Sequence, residues 1–220
     1  MKDELVVKSR PKSNISEDIR TIRTNLQFTC DENTKSLLVT SSVPGEGKSF
    51  ISSNLAVAFA QTGESTLLID SDLRLGRVHK IFGVSNEFGL SNFLVANKPE
   101  CAKYIKKTSV ENLYVMSRGP VPPNPSELLN SANFKKMIDK LSESFDHIIF
   151  DGVPVNGLPD SLIVASLVDR VVLVTTIGYT SIDELNDSKK ALEKINAKVA
   201  GVVVNKAPTT KRGKYSNYYE

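Results

Sequence analysis

Residues 42–49 of this chain read Ser42-Val43-Pro44-Gly45-Glu46-Gly47-Lys48-Ser49. An apolar run, Ser36 to Thr40, precedes this stretch, and a run with apolar residues at helical spacing follows it. In a loop between a strand and a helix, glycines let backbone N–H groups wrap a polyphosphate, and the helix N-terminus adds partial positive charge. Lys48 can reach the terminal phosphates and Ser49 can ligate Mg²⁺. The stretch therefore predicts a P-loop that binds a nucleoside triphosphate.

One position departs from the usual P-loop pattern, which begins with glycine where this chain has Ser42. A small residue still permits the turn, and Pro44-Gly45 supplies a turn of its own. The alternative interpretation is an ordinary strand-to-helix loop rich in glycine and serine. That alternative does not explain a lysine that follows two closely spaced glycines, and we favour the phosphate-binding loop.

The composition narrows the functional classes. The chain has 220 residues, 40% hydrophobic and 24% charged, which is enough to bury a full core in a single domain. Its net charge of +3 is too small to indicate nucleic-acid binding. Cys30 and Cys101 are the only cysteines, too few for a disulfide framework or a zinc site, which predicts a reducing, cytosolic setting. No apolar run is long enough to span a bilayer and the N-terminus does not resemble a signal peptide, so we expect membrane contact only through a partner.

Strand-like and helix-like runs alternate along the chain, a pattern typical of a mostly parallel sheet with helices on both faces. The predicted strands are Ser36–Thr40, Thr66–Ile69, Leu113–Ser117, His147–Phe150, Arg170–Thr175 and Ala200–Val204. The predicted helices include one capped by Ser16 that runs to about Cys30, one that begins at Asn124-Pro125, and the segments Pro159–Leu167 and Ile182–Ile195. We expect a doubly wound α/β fold in one domain, residues 33–206, with an N-terminal arm and helix in residues 1–32 and a tail in residues 207–220.

Acidic residues directly follow two of the predicted strands. Asp70 and Asp72 come after one strand, and Asp151 comes after another. Ligands bind at the carboxyl ends of the strands in such sheets, so we expect these carboxylates to lie beside the P-loop. Mg²⁺ bound to phosphates takes one or two carboxylate oxygens and keeps some of its waters. The predicted metal ligands are Ser49, Asp70, Asp72 and Asp151; the alternatives are a turn or helix cap for Asp70 and Asp72 and a solvated strand end for Asp151.

Several further motifs carry a resemblance to a known family. They are Leu68-Ile69-Asp70-Ser71-Asp72-Leu73-Arg74, Ile148-Ile149-Phe150-Asp151, Gly119-Pro120-Val121-Pro122-Pro123-Asn124-Pro125-Ser126-Glu127-Leu128-Leu129, Glu17-x-x-Arg20-x-x-Arg23, and a tyrosine cluster at the C-terminus. With these motifs and the P-loop, nearly the whole chain resembles the bacterial tyrosine kinases of capsule and exopolysaccharide gene clusters, in the Gram-positive form that is a separate cytoplasmic protein. Their fold is that of the P-loop NTPases related to the MinD and ParA ATPases.

The resemblance implies an ATP-dependent protein tyrosine autokinase that uses Mg²⁺. Lys48 would act on the transferred phosphate, and Asp70 and Asp72 would divide two tasks, orienting or deprotonating the incoming tyrosine and holding the metal. Which carboxylate performs which task stays open at this point. The implied nucleotide-binding residues are Pro44, Gly45, Glu46, Gly47, Lys48, Ser49, Phe50 and Asn205; a surface Asn-Lys pair is the alternative for Asn205.

The resemblance also implies an assembly. Glu17, Arg20 and Arg23 lie three residues apart on one helix face, which on sequence alone fits a solvated surface with a weak ion pair. In the family this pattern carries the contacts of a ring-shaped octamer. The implied acceptors are the chain's own tyrosines, in transfer between subunits, and tyrosines of other proteins. The implied role is regulation of capsular or extracellular polysaccharide synthesis at the inner face of the cell membrane, through a separate transmembrane activator protein. The tail acceptors are Tyr215, Tyr218 and Tyr219. The alternatives are that these rings dock onto the core or a partner, and that transfer takes place within one subunit.

One departure from the family keeps other functions open. Gly152-Val153-Pro154 stands where the family has Thr-Pro-Pro, which puts the rigidity of the segment after Asp151 in question. The alternatives are a MinD/ParA-like ATPase switch and a non-catalytic nucleotide-binding scaffold. The switch ATPases usually carry an extra lysine early in the P-loop, where this chain has Ser42 and Val43, and they lack a tyrosine tail. The kinase interpretation is therefore favoured.

Overall fold

The computed structural model describes residues 4–207, whose strands form one seven-stranded sheet. The strands are β1 (Ser36–Ser41), β2 (Thr66–Asp70), β3 (Lys106–Lys107), β4 (Leu113–Met116), β5 (His147–Pro154), β6 (Arg170–Thr176) and β7 (Val199–Asn205). Their order is β3-β4-β2-β5-β1-β6-β7, and every neighbouring pair is parallel except β3 and β4. The predicted doubly wound α/β fold is confirmed; β3 was not predicted, and β5 runs four residues further than expected.

Helices cover both faces of this sheet. They are α1 (Val6–Ser9), α2 (Asn14–Thr29), α3 (Lys48–Ala60), α4 (Val78–Phe82), α5 (Leu90–Val95), α6 (Pro125–Leu129), α7 (Ala132–Ser142), α8 (Asp160–Ala165) and α9 (Ile182–Lys194), with a 3-10 turn at Cys101–Lys103. None of the helices within residues 4–207 is long and apolar enough to cross a membrane.

Two apolar clusters, one on each face, hold the sheet between the helices. Leu38 belongs to one cluster, whereas Leu37 and Val39 belong to the other. Successive side chains of a strand point to opposite faces, so this alternation buries every residue of β1. Burial on both faces explains why the central strands are continuous apolar runs in the sequence.

The N-terminal segment belongs to the same core as the P-loop helix. Leu5 and Ile19 are buried in the cluster that contains most of α3. The fully buried Asn54 of α3 accepts a hydrogen bond from the Val7 amide at 3.0 Å and donates one to the Glu4 carbonyl at 2.8 Å. The N-terminal arm is therefore packed onto the helix that begins at the phosphate-binding loop.

The predicted cap of the first long helix is wrong. The helix begins at Asn14, and the side chain of Ser13 accepts the capping hydrogen bond from the Ser16 amide. Ser16 is buried, and its hydroxyl donates to the Arg10 carbonyl at 2.7 Å. Ser16 therefore fastens the arm to α2, while the residue three positions earlier caps the helix.

The helix predicted to begin at Asn124-Pro125 is present as α6, but Asn124 makes no side-chain capping bond. Its amide donates to the carboxylate of Glu127 instead. Pro125 occupies the first helical position, where a missing N–H costs nothing. The fixed φ of proline, more than the asparagine, thus defines this helix start.

Candidate active site

The P-loop connects β1 to α3, as predicted. Gly45 has φ +81° and Gly47 has φ +93°, in the left-handed region that favours glycine. A Cβ atom on Gly47 would also lie 2.2 Å from Nδ2 of Asn205. Ser42, which replaces the first glycine of the pattern, is fully buried and is not among the residues with positive φ, so its backbone does not require glycine. The loop therefore has the backbone that a phosphate cradle requires.

The end of β7 orients the peptide groups of this loop. The Asn205 amide donates to the Glu46 carbonyl at 2.7 Å, and the Lys206 ammonium donates to the Gly45 carbonyl at 2.9 Å. In a planar trans peptide the N–H points opposite to the carbonyl, so the amides of Glu46 and Gly47 point away from these partners. Holding the carbonyls outward thus presents N–H groups to a phosphate.

Lys48 is the first residue of α3 and lies among acidic groups. Burial lowers the pKa of Lys48, and the charges of three carboxylates raise it, in the order Asp151, Asp72, Glu46. A desolvated ammonium at a helix N-terminus is a strong site for a phosphate. The structure therefore brings the predicted lysine and two of the predicted metal ligands into one place.

Asp70 and Asp151 lie side by side, because they are register partners on the neighbouring strands β2 and β5. One oxygen of each is bonded: Oδ2 of Asp70 accepts from the Val78 amide, and Oδ1 of Asp151 accepts from the Ser52 hydroxyl, both at 3.0 Å. The other oxygens, Oδ1 of Asp70 and Oδ2 of Asp151, are buried with no hydrogen-bond partner among residues 4–207. Buried carboxylate oxygens without donors are costly, and a bound cation would stabilise them.

Burial also raises the pKa values of these two carboxyl groups. Burial raises the pKa of Asp151 to about 6, while the Ser49 hydroxyl and the Lys48 charge act against the rise. Burial, and after it the charge of Asp151, raises the pKa of Asp70 well above its usual range. Two adjacent carboxylates resist simultaneous ionisation, and a divalent cation removes that resistance.

Asp72 differs from this pair because it is only half-buried. Its Oδ1 accepts from the amides of Arg74 at 3.0 Å and Leu75 at 2.8 Å. The alternative interpretation therefore also holds in part: one oxygen of Asp72 stabilises a turn, and one oxygen of Asp70 caps the start of α4. These backbone contacts fix the two carboxylates in position at the ligand edge.

At this site, Mg²⁺ would take its ligands from both the protein and the nucleotide. No three histidine, cysteine or acidic groups in the described part of the chain lie close enough to hold a metal by themselves. Mg²⁺ in nucleotide sites commonly binds one or two carboxylates, the phosphates and water. The free oxygen of Asp151, with Ser49 beside it, fits that mode, in which the nucleotide supplies the remaining ligands.

The departure at Gly152 is compensated in the structure. A Cβ atom there would lie 2.7 Å from Cδ1 of Leu38 and from Oγ of Ser161. The Val153 carbonyl accepts hydrogen bonds at 2.6 Å from the hydroxyls of Thr40 and Ser161, and the segment continues β5 to Pro154. The loss of Thr-Pro-Pro therefore leaves this segment fixed by strand pairing.

One polar cluster was not predicted from the sequence. Arg74 binds the buried carboxylate of Asp160 with 2.9 Å between Nε and Oδ2, and Ser126 donates to the same carboxylate at 2.5 Å. These contacts join three segments: the stretch 68–74 that contains Asp70 and Asp72, the proline-rich stretch 119–129, and α8. The only sequence signal was Asp160 directly after Pro159, at the start of a predicted helix.

The predicted oligomerisation residues divide into two groups on α2. Arg20 pairs with Glu17 on the outer surface. Arg23 instead donates from Nη1 to the Ala58 carbonyl of α3 at 2.9 Å. The outward face of the motif therefore consists of Glu17 and Arg20, while Arg23 anchors the helix to the core.

The chain is similar to known proteins over most of its length. The family model described as "ParA: NUBPL iron-transfer P-loop NTPase" matches residues 32–217. The chain is 44% identical over 216 residues to the putative tyrosine-protein kinase CapB of Staphylococcus aureus, with 98% of this chain and 94% of that protein covered. It is 37% identical to the tyrosine-protein kinase YwqD of Bacillus subtilis, with 99% and 92% covered.

A solved structure is also similar to this chain over most of its length. The chimerical protein CapA2B2 superposes with a TM-score of 0.89 at 40% sequence identity, covering 93% of this chain and 90% of that one. The site described above, with its P-loop, lysine and strand-end carboxylates, thus lies in a chain that matches tyrosine kinases over almost its full length. The chain belongs to the ParA family of P-loop NTPases and, within it, to the bacterial tyrosine-protein kinases.

Proposed function

We propose that this kinase is an ATP- and Mg²⁺-dependent autokinase that phosphorylates Tyr215, Tyr218 and Tyr219 of a neighbouring subunit in a ring, most simply an octamer. Through this reaction, and through tyrosines of other proteins, it would regulate the synthesis of a capsular or extracellular polysaccharide. It would work in the cytoplasm at the inner membrane face, bound to a separate transmembrane activator. The observation that carries the catalytic part is the buried Asp70–Asp151 pair, with its two unpartnered oxygens, beside Lys48.

The binding steps are assigned to the P-loop. Amides of residues 45–49 and the Lys48 ammonium hold the β- and γ-phosphates of ATP, with Phe50 and Asn205 beside them. Ser49, Asp151 and Asp70 hold the metal side, where Mg²⁺ would neutralise charge that develops on the phosphates. Burial of these groups strengthens each interaction, because little water competes for them.

Asp72 is assigned to the acceptor. It is the most exposed of the three carboxylates, so an incoming phenol can reach it. Asp72 orients the phenol and takes its proton; the phenol oxygen bonds to the γ-phosphorus, and the bond from that phosphorus to the bridging oxygen breaks to release ADP. Asp70, buried and bonded to the start of α4, remains on the metal side.

The acceptor tyrosines lie outside the described residues, so covalent reach supports their assignment. Lys206 lies at the P-loop, and Tyr215 follows it nine residues later. Nine extended residues span at most ~30 Å, enough to reach a neighbouring subunit from the same edge of the sheet.

Detection of phosphotyrosine on the purified full chain with ATP and Mg²⁺ tests this function. We expect a strong signal that is lost in the Tyr215→Phe/Tyr218→Phe/Tyr219→Phe variant. ATP hydrolysis without phosphotyrosine would favour the MinD/ParA-like switch, and binding without turnover would favour the scaffold. Mixing the triple-Phe chain with a Lys48→Met chain distinguishes transfer between subunits from transfer within one subunit, because label on the Lys48→Met chain requires transfer between subunits.

The ring is tested on the outward face of α2. The Glu17→Ala/Arg20→Ala variant should give smaller species in light scattering with little change in thermal unfolding. It loses an exposed ion pair and an exposed hydrogen bond from Arg20 to the Pro11 carbonyl, and each contributes only about 1 kcal/mol or less to folding. Adding Arg23→Ala should lower stability by about 1 kcal/mol, since it removes the bond to Ala58. An unchanged mass in both variants would exclude this face as the subunit contact.

A further inference from the structure

Glu46 is an unexpected residue in a phosphate-binding loop. Its carboxylate is fully buried. A negative charge there opposes the phosphates that the loop must bind, and the low dielectric of the interior increases that repulsion. A buried acid at this position therefore requires partners that stabilise it.

The partners of this carboxylate come from two parts of the chain. The Val43 amide, within the P-loop, donates to Oε2 at 3.1 Å. The Thr176 amide, at the end of β6, donates to Oε1 at 3.0 Å, and the Thr180 hydroxyl donates to the same oxygen. Glu46 is thus the shared acceptor between the P-loop and residues 177–181, which we term the β6–α9 connection.

We propose that Glu46 is a positioning residue that couples the P-loop to the β6–α9 connection, so that the conformation of the connection sets the affinity for the nucleotide. This inference rests on ATP binding in the proposed function, but not on tyrosine as the acceptor. The coupling is direct because the Thr180 hydroxyl of the connection and the Thr176 amide just before it donate to one carboxylate, and that carboxylate also holds the P-loop amide of Val43.

The outer surface of the same region is open to solvent. Ile177, Tyr179 and Ile182 have 61%, 59% and 78% of their surface exposed. The Tyr179 hydroxyl also lies only 3.2 Å from where a Cβ atom on Gly45 would be. A shift of the connection therefore changes the donors of Glu46 and the packing over Gly45 together.

The first test uses a matched pair at Thr180. Thr180→Val keeps the shape of the side chain and removes only the hydroxyl, whereas Thr180→Ser keeps the hydroxyl. We expect Thr180→Val to weaken equilibrium binding of a fluorescent ADP by about tenfold, within the usual range of coupling between sites. Thr180→Ser should bind as the wild type does. The kcat at saturating ATP should change less than about twofold, because the reacting groups are intact.

The second test asks whether Glu46→Gln tightens or weakens the binding of ADP. Removing a negative charge near the phosphates should tighten ADP binding if the charge acts only by repulsion. Coupling predicts the opposite: Glu46→Gln leaves either the Val43 or the Thr176 amide facing an N–H group, so binding should weaken by about tenfold or more. The Glu46→Ala/Thr180→Val double variant should be no weaker than Glu46→Ala alone, because truncation at Glu46 already removes the acceptor of the Thr180 hydroxyl.

The outcomes separate this inference from the proposed function. Wild-type protein that binds no nucleotide would overturn the proposed function. Wild-type binding with unchanged affinity in Thr180→Val, or tighter binding in Glu46→Gln, would overturn the coupling alone. Thermal unfolding without nucleotide controls for stability: weakened binding in a variant that unfolds at the wild-type temperature supports coupling, and weakened binding that scales with lost stability refutes it.

Discussion

Replacing Lys48 by Met should abolish phosphoryl transfer while the protein stays folded. In the proposed function, the charge of Lys48 stabilises the phosphates as they gain negative charge in the transition state. Loss of a charge that stabilises the transferring group typically costs about 10³-fold or more in rate. Met has a similar length and no charge, so packing at the start of α3 is kept. Phosphotyrosine formation with ATP and Mg²⁺ measures the loss, and thermal unfolding measures the fold.

A matched control uses a lysine away from the site. Lys12 is exposed between α1 and α2, so Lys12→Met should leave both activity and unfolding unchanged. Autophosphorylation that survives in a well-folded Lys48→Met protein would refute the assigned role of Lys48. The same variant supplies the catalytically inactive chain for the mixing experiment.

Replacing Asp151 by Asn should reduce Mg²⁺-dependent turnover by about a hundredfold or more, because a metal contributes several kcal/mol to the stabilisation of the transition state. The variant exchanges one of the charged buried oxygens for a group that binds cations weakly. ADP binding without metal should change much less. Asp72→Asn removes the group assigned to the acceptor, so it should lower turnover without changing the dependence of turnover on Mg²⁺. The measurements are titrations of turnover with Mg²⁺ and of ADP with a chelator present. Equal dependence on Mg²⁺ in variant and wild type would refute the metal assignment.

The raised pKa of Asp151, about 6, gives the same carboxylate a pH signature. Below that pKa, protons occupy the carboxylate and compete with Mg²⁺, whereas above it the carboxylate is free for the metal. The Mg²⁺ concentration for half-maximal turnover should therefore rise as pH falls through about 6 and become constant above about 7. Asp151→Asn should remove this dependence. Without metal, the free energy of unfolding should fall as pH rises towards 6, because the pKa of Asp151 is raised in the folded state and the buried carboxyl group loses its proton over this range. Asp151→Asn should not show this loss of stability.

Much of the site was predictable because it is encoded in short stretches of sequence. The P-loop, Asp70 and Asp151 each directly follow an apolar run, and the carboxyl ends of parallel strands meet at one edge. The order of runs along the chain therefore predicts that these groups lie together. The strand bounds were correct at β1 to within one residue, since its apolar run ends where the glycine-rich turn begins.

Errors arose where local chemistry allowed more than one partner. Ser13 and Ser16 are both suitable caps, and the choice depends on the arm that occupies the hydroxyl of Ser16. Arg23 follows the same spacing as Arg20, yet it turns to a carbonyl of α3 because that helix lies beneath α2. The short strand β3 has too few residues for a periodic signal and exists only through its pairing with β4.

The sequence by itself determined the doubly wound fold, the phosphate loop and the carboxylates at the strand ends, because periodicity and turn chemistry are local. The tertiary structure alone decided which distant side chains complete the site. Thr176 and Thr180 reach Glu46 across 130 and 134 residues, and Arg74 reaches Asp160 across 86. Such contacts depend on the crossover order of the strands and on the desolvation of each polar group after packing. A buried polar group must find a donor or acceptor wherever the fold brings one, and no local pattern records that partner.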